Sequence, residues 1–327
     1  MHPVIKRWAF LLSSTSVMVY FSEKMYWYVQ GYSYLELILF YLFASYSVFW
    51  AIDHFKINDV WGLALAGILY PLFVEGVFTG IITADITGIM LSYFVGWHTT
   101  LAVLIGWFWH RKLLIERRTR TIILSSVLLG LLLGFWATVY WLPENINDPE
   151  LSPENGFHSG KWLLIDYALL QLYLGAIYIF SHFILSKTWI ERFQPSKWEN
   201  YTILSLVLLL SLIQALSSSF FILWLIFLYA IVLLALRKYS QGHSEVTVLE
   251  QLAGEVRVRD ILLLSLINLS AIVAYALVDA IELSEEVIRK LFLNGIVGIQ
   301  VIYGAGILLY SIIRVWKRKD RTISQTE

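Results

Sequence analysis

The sequence contains no cysteine, which excludes disulfides, thiolate catalysis, and Cys-ligated zinc or iron–sulfur centres. Charge is also scarce. Only 15% of the 327 residues are Asp, Glu, Lys or Arg, whereas soluble domains carry about a quarter. Basic and acidic residues number 24 each, so the formal net charge is zero. No global basic field exists for a nucleic-acid partner, and none is expected. Several motifs are missing as well: His-Glu-x-x-His, the Gly-x-x-x-x-Gly-Lys-Ser/Thr phosphate loop and the Gly-x-Ser-x-Gly nucleophile elbow. No Lys lies well inside an apolar run, so a retinal Schiff base has no anchor. Periodic Arg for voltage sensing and a potassium-filter sequence are absent too. Accordingly, no cofactor and no metal site are expected.

What the chain has in abundance is apolar surface. Hydrophobic residues make up 58% of it, with 14 Trp, 19 Tyr and 19 Phe, and the mean hydropathy is +0.69. Such a chain cannot cover itself with polar groups. Its aromatic load suits rings that anchor helices at bilayer interfaces. The expected fold is an all-α polytopic transmembrane bundle, a single integral domain with membrane lipids as its surroundings.

A helix needs about 20 apolar residues to cross a bilayer. Ten candidate segments emerge, the first of them short: 8–21, 34–52, 60–82, 88–109, 121–142, 162–186, 201–216, 219–236, 261–281 and 291–313. The first follows Lys6 and Arg7 in the basic-then-apolar order of a signal peptide. It lacks a small-x-small cleavage site, and Ser13, Ser14, Thr15 and Ser16 interrupt its apolar run. It therefore reads as a retained span. The run from 201 to 236 is split at Ser217, Ser218 and Ser219.

Placing the N-terminus in the cytoplasm puts 20 of the 24 Lys and Arg on the inner side, including the run 111–120 and a basic tail at 314–327. The outer loops keep only Lys24, Lys161, Arg289 and Lys290. This asymmetry predicts both termini to be cytoplasmic. The acidic, proline-bearing loop 143–161 divides the spans five and five, so the two halves would be inverted relative to each other, as in several transporter folds. No matching Gly/Pro interruption in the spans 8–21 and 162–186 supports a repeat.

Ionisable side chains in a bilayer core are costly and mark function by default. The candidates are Glu36, Glu75, Asp85, His98, Asp166, His182 and Asp279. Glu36, Asp166 and Asp279 lie near the outer ends of their spans, Asp85 in the tight loop between the third and fourth, and His182 toward an inner end. Each of these can reach water or headgroups. Glu75 cannot. It lies about seven residues, or roughly 10 Å, from the outer end of its helix. Gly67, Pro71 and Thr79 share its face, which suits helix packing or a cavity better than lipid. Pro71 also removes the donor for the Gly67 carbonyl. The short connection to the fourth span makes that span an antiparallel neighbour. It brings His98 to nearly the same depth, so a Glu75–His98 contact is geometrically allowed. Such a pair either carries chemistry, with Glu36, Asp166 and Thr79 as candidate rim residues, or simply locks the hairpin.

Two resemblances bear on this stretch. Residues from about 20 to 115, notably Ser22-Glu23-Lys24-Met25, the 67–80 stretch and Trp97-His98, resemble a group of uncharacterised prokaryotic multi-pass membrane proteins. That resemblance implies a prokaryotic cytoplasmic (inner, plasma) membrane and no particular activity. Tyr70-Pro-Leu-Phe-Val-Glu75-Gly also resembles, in outline, the first motif of the CPBP group of glutamic intramembrane proteases, relatives of the CAAX-processing enzymes. In that family Glu with His activates a water. Here Val74 stands where the family has its first Glu, Thr79 or Gly80 where it has Arg, and the second His motif has no counterpart. The resemblance implies roles for Glu75 and His98 alone.

Three readings follow. The first is a multi-pass inner-membrane protein with a buried Glu75/His98 site and no assignable reaction, so that whether it is an enzyme stays open. The second is a CPBP-like hydrolase in which Glu75 and His98 activate water. The third is a transporter or lipid-handling permease with Glu75 as the proton or cation site.

Overall fold

The computed structural model describes residues 1–24, 34–78, 90–142, 162–217, 219–240 and 246–317. Among them every element is a helix. In chain order these are α1 (Pro3–Val19, ending in the wider π-wound turn Tyr20–Lys24) and α2 (Tyr34–His54). Next comes α3 (Val60–Gly67, continued by Leu69–Pro71 and the π-wound Leu72–Phe78). It is followed by α4 (π-wound Met90–Trp109, then His110–Ile115) and α5 (Thr119–Ala137 with a tighter last turn, Thr138–Trp141). Then come α6 (Leu164–Thr188), α7 (Lys197–Ser217), α8 (Ser219–Ser240) and the one-turn α9 (Val248–Gln251). The chain ends with α10 (Val258–Leu262, Leu263–Ser265, Leu266–Ile281) and α11 (Glu285–Val287, Ile288–Asn294, Gly295–Lys317). Each of the ten apolar segments is helical over most of its described length. Among the described residues, six helical stretches are long and apolar enough to cross a membrane: Leu35–His54, Val60–Val77, Thr119–Trp141, Leu164–Thr188, Val258–Ile281 and Glu285–Lys317.

The outer surface of the bundle explains the composition. Leu124 and Leu128 on α5, Leu204 and Leu208 on α7, and Val273 and Leu277 on α10 are all exposed. They recur at spacings of four, so each helix turns an apolar stripe outward. A water-soluble protein rarely exposes apolar patches beyond a few hundred Å². This is an integral membrane protein.

The centre of the bundle is α1. From Phe10 onward nearly every side chain is buried, with α2, α4 and α6 packed around it. Its hydroxyls interrupt the apolar run without being stranded. Ser13 and Thr15 donate to carbonyls of the preceding turn (2.7 and 2.8 Å), Ser14 accepts from Trp107 Nε1 (3.2 Å), and Ser16 accepts from Ser181 (2.7 Å). A hydroxyl bonded within the helix or to a neighbouring helix satisfies what lipid cannot. Glycines set the closest crossing: a Cβ on Gly130 would stand 2.2 Å from the Ile267 carbonyl oxygen, so α5 and α10 touch backbone to backbone.

One end of the bundle gathers the polar side chains that tie the loops down. Arg7 pairs with Glu199 (2.5 Å), Arg192 with Glu250 (3.1 Å), and Arg314 approaches Asp59 (3.7 Å). At this same end α9 is seated by a complete capping box between Thr247 and Glu250. A hydrogen bond from Val248 N to Ile57 O (2.7 Å) and another from Trp189 Nε1 to Leu249 O (3.0 Å) complete the seat.

Candidate functional site

Two local features of α3 place Glu75. Pro71 withholds a backbone donor, and immediately after it the chain widens from α to π winding over Leu72–Phe78. A π-wound turn re-aims side chains relative to an α-helix and is frequent at functional sites. α4 is wound the same way, as the Thr100 hydroxyl bonding Val95 O five residues back (2.6 Å) shows. Gly67 lets α3 press against α4, and Gly76 lets it press against Leu225 of α8.

The result is a direct contact. His98 Nε2 and Glu75 Oε1 are 2.8 Å apart, with His98 2% and Glu75 7% exposed. With Glu75 as a carboxylate, Nε2–H donates and the lone pair stays on Nδ1. Among the described residues, His98 Nδ1 and the neighbouring Thr99 Oγ1 are buried polar atoms with no hydrogen-bond partner. Native structures leave few such atoms, and each asks for an explanation.

Aromatic groups wall the pair. The Tyr70 ring is centred 6.3 Å from the His98 ring, and its hydroxyl shares a hydrogen bond with Ser22 Oγ (3.1 Å). Trp97 Nε1 donates to Phe21 O (3.2 Å), fixing this part of α4 to the last turn of α1. Sequence reasoning missed the Tyr70–Ser22 bond. The signal was the tyrosine one turn before Glu75 within the quoted motif.

The other expected residues fall elsewhere. Glu36 and Asp166 are exposed in the first turns of α2 and α6, away from the buried Glu75 and His98. Thr79 and Asp85 lie outside the described residues. His182 is buried in α6, and Asp279 is half-buried near the end of α10. Among the described residues no group of three or more metal-ligating side chains forms.

Chemically, the arrangement is a proton acceptor held in orientation by a carboxylate. An ionised Glu75 would fix the tautomer and direction of His98 and leave the second imidazole nitrogen able to take up a proton. No family model, curated protein or solved structure matches this chain.

Proposed function

We propose that this chain is a ten-span protein of a prokaryotic cytoplasmic membrane. Both termini lie in the cytoplasm, and the protein is a transporter or lipid-handling permease that uses Glu75 and His98 as its proton-binding pair. The observation that carries this reading is the 2.8 Å carboxylate–imidazole contact buried inside an apolar bundle. Placing such groups in a membrane interior is costly, and proton relays are among the functions that justify it. The gathering of Arg7, Arg192 and Arg314 at one end of the bundle supports the orientation.

Hydrolysis is the second reading, favoured by the Nδ1 atom of His98. A base oriented by a carboxylate and open on its other nitrogen can take a proton from water. It ranks below transport because Val74 replaces the first carboxylate of the hydrolase motif, and Glu75 Oε1 is already engaged by His98.

The test is charge movement. Reconstituted protein on a solid-supported membrane is given a pH jump with no solute present. A transient charge displacement is expected from the wild type and not from Glu75→Gln, with both proteins equally abundant and equally stable to heat. Equal displacement from a folded Glu75→Gln would overturn the reading. Loss of folded protein in that variant would instead assign the pair a locking role.

A further inference from the structure

A second pair of buried imidazoles lies where α4, α6 and the C-terminal end of α1 meet. His110 is fully buried and His182 is 2% exposed. His110 Nδ1 is 2.8 Å from the Tyr178 hydroxyl, and the His182 ring meets the Tyr178 ring edge-on at 4.7 Å. Among the described residues neither His110 Nε2 nor His182 Nε2 has a hydrogen-bond partner. A packed apolar crossing would need none of these groups, and two open imidazole nitrogens flanking Tyr178 repeat the feature that marks His98.

Between the two sites runs the π-wound end of α1. Tyr20 stacks on Tyr178 (4.3 Å, 19°) and donates to Asn268 Oδ1 (2.9 Å), which is itself tied through Nδ2 to Gln171 Oε1 (3.0 Å). Phe21 packs on the rings of both His110 and Tyr178 (5.9 and 5.4 Å). Ser22 is bonded to Tyr70, whose ring faces His98. Three consecutive residues of α1 therefore touch both sites. His98 and His110 are twelve positions apart on one helix, at most about 18 Å at 1.5 Å per residue.

We infer that His110, Tyr178 and His182 form a second proton-exchange station, through which protons from the cytoplasm reach Glu75 and His98 along Tyr20, Ser22 and Tyr70. The inference rests on the proton-binding role of the Glu75–His98 pair. A proton taken up at His110 Nε2 lets the Nδ1 proton pass to the Tyr178 oxygen as the Tyr178 hydroxyl releases its own, so no net charge accumulates on the tyrosine. Water carries the proton between hydroxyls that are not directly bonded, and His98 Nδ1 is the acceptor at the far end. Among the described residues, the titratable and charged groups at this cluster are Tyr178 and His182 from α6, Tyr20 from α1, which stacks on Tyr178, and Arg111 next to His110 on α4. The Arg111 guanidinium is turned away, to the carbonyls of Leu252 and Gly254.

The experiment applies pH jumps separately to the two faces of vesicles of known orientation. In Tyr178→Phe and in His110→Gln, charge displacement after a jump on the cytoplasmic face should slow by about tenfold or more, the scale of losing a positioned proton carrier. The response to a jump on the outer face should stay as in the wild type. Tyr178→Phe removes one oxygen and keeps the stacked ring, so it decides the matter if His110→Gln fails to fold. Unaltered kinetics in Tyr178→Phe, with displacement still lost in Glu75→Gln, would overturn the route and leave the Glu75–His98 site standing. Displacement that does not depend on Glu75 would overturn both. Slowing from both faces alike would show a general structural defect and likewise overturn the route.

Discussion

Gly67 of α3 lies directly against Thr99 of α4: a Cβ on Gly67 would stand 2.8 Å from Thr99 Cγ2. Thr99 follows His98, so this crossing fixes how far α3 and α4 stand apart where Glu75 and His98 meet. Gly67→Ala must push the helices apart or force Thr99 into another rotamer. Overpacking of this kind costs about 1–3 kcal/mol. The expected outcome is a lower melting temperature in detergent, together with weaker Glu75-dependent charge displacement. A variant with normal stability and normal displacement would show that the crossing tolerates a methyl group and does not set the pair.

The same change should have opposite signs at two other glycines. A Cβ on Gly134 would stand 2.4 Å from the Ala271 carbonyl oxygen, a backbone atom that cannot swing aside. A Cβ on Gly306 would meet nothing within 4 Å. Gly134→Ala should therefore destabilise by about 1–3 kcal/mol. Gly306→Ala, inside α11, should be neutral or stabilise by up to about 1 kcal/mol through the helix preference of Ala over Gly. Thermal unfolding of the two variants side by side checks the contrast.

These glycines also show what could and could not be read from the chain. Helix positions were legible because roughly twenty apolar residues in a row have one favourable state in a membrane. The Glu75–His98 contact was legible as an option because a short connection forces α3 and α4 to be antiparallel. Helix rotation and non-sequential pairing were not legible. Apolar residues surround each helix, so no stripe says that α1 belongs in the centre or that Gly130 and Gly134 face α10. The second cluster was hidden for a different reason. His110 falls at the edge of the basic run 111–120, and His182 could have reached headgroups from its end of α6. Gln171, Tyr178 and Asn268 are neutral, so a search for ionisable groups passes over them.

Glu199 predicts a specific pH dependence. Its carboxylate accepts both oxygens' worth of Arg7 Nη2 (2.5 Å each), Trp8 Nε1 (3.1 Å) and Ser196 N (2.6 Å). Burial alone pushes this carboxyl up. The hydrogen bonds from Arg7 and Ser196, with the Arg7 charge, outweigh it and hold Glu199 below the usual 4.5. A group whose folded value is depressed stabilises fully above its unfolded value, and that stability disappears as the pH falls through the folded value. The melting temperature of the wild type should therefore exceed that of Glu199→Gln by about 2 °C near neutrality, for a part-buried pair worth about 1 kcal/mol. The gap should stay constant down to roughly pH 5 and close on further acidification. A gap that widens in acid would contradict the assignment.

Arg111 predicts what holds the loop between α8 and α10 in place. The side chain is 1% exposed. Its Nε donates to Leu252 O (3.3 Å) and its Nη2 to Gly254 O (3.0 Å), and the guanidinium lies 4.2 Å over the Trp189 ring. Burial pushes it down to about 10, which leaves it charged at neutral pH. It thus places a cation on the carbonyls that follow α9, where a helix end favours positive charge. Gly254, at φ +157°, makes the turn that presents the second carbonyl. A lysine offers neither the planar fork nor the stacking face, so Arg111→Lys should behave as a loss. Stranding the two carbonyls costs about 1–3 kcal/mol. That is enough to release α9 from its seat against Ile57 and Trp189 while the membrane helices stay folded. Limited proteolysis of vesicles exposing this face should cut within 241–260 several times faster in Arg111→Lys than in the wild type. Equal cleavage rates would mean that Val248 and Leu249, both fully buried, hold the segment without the arginine.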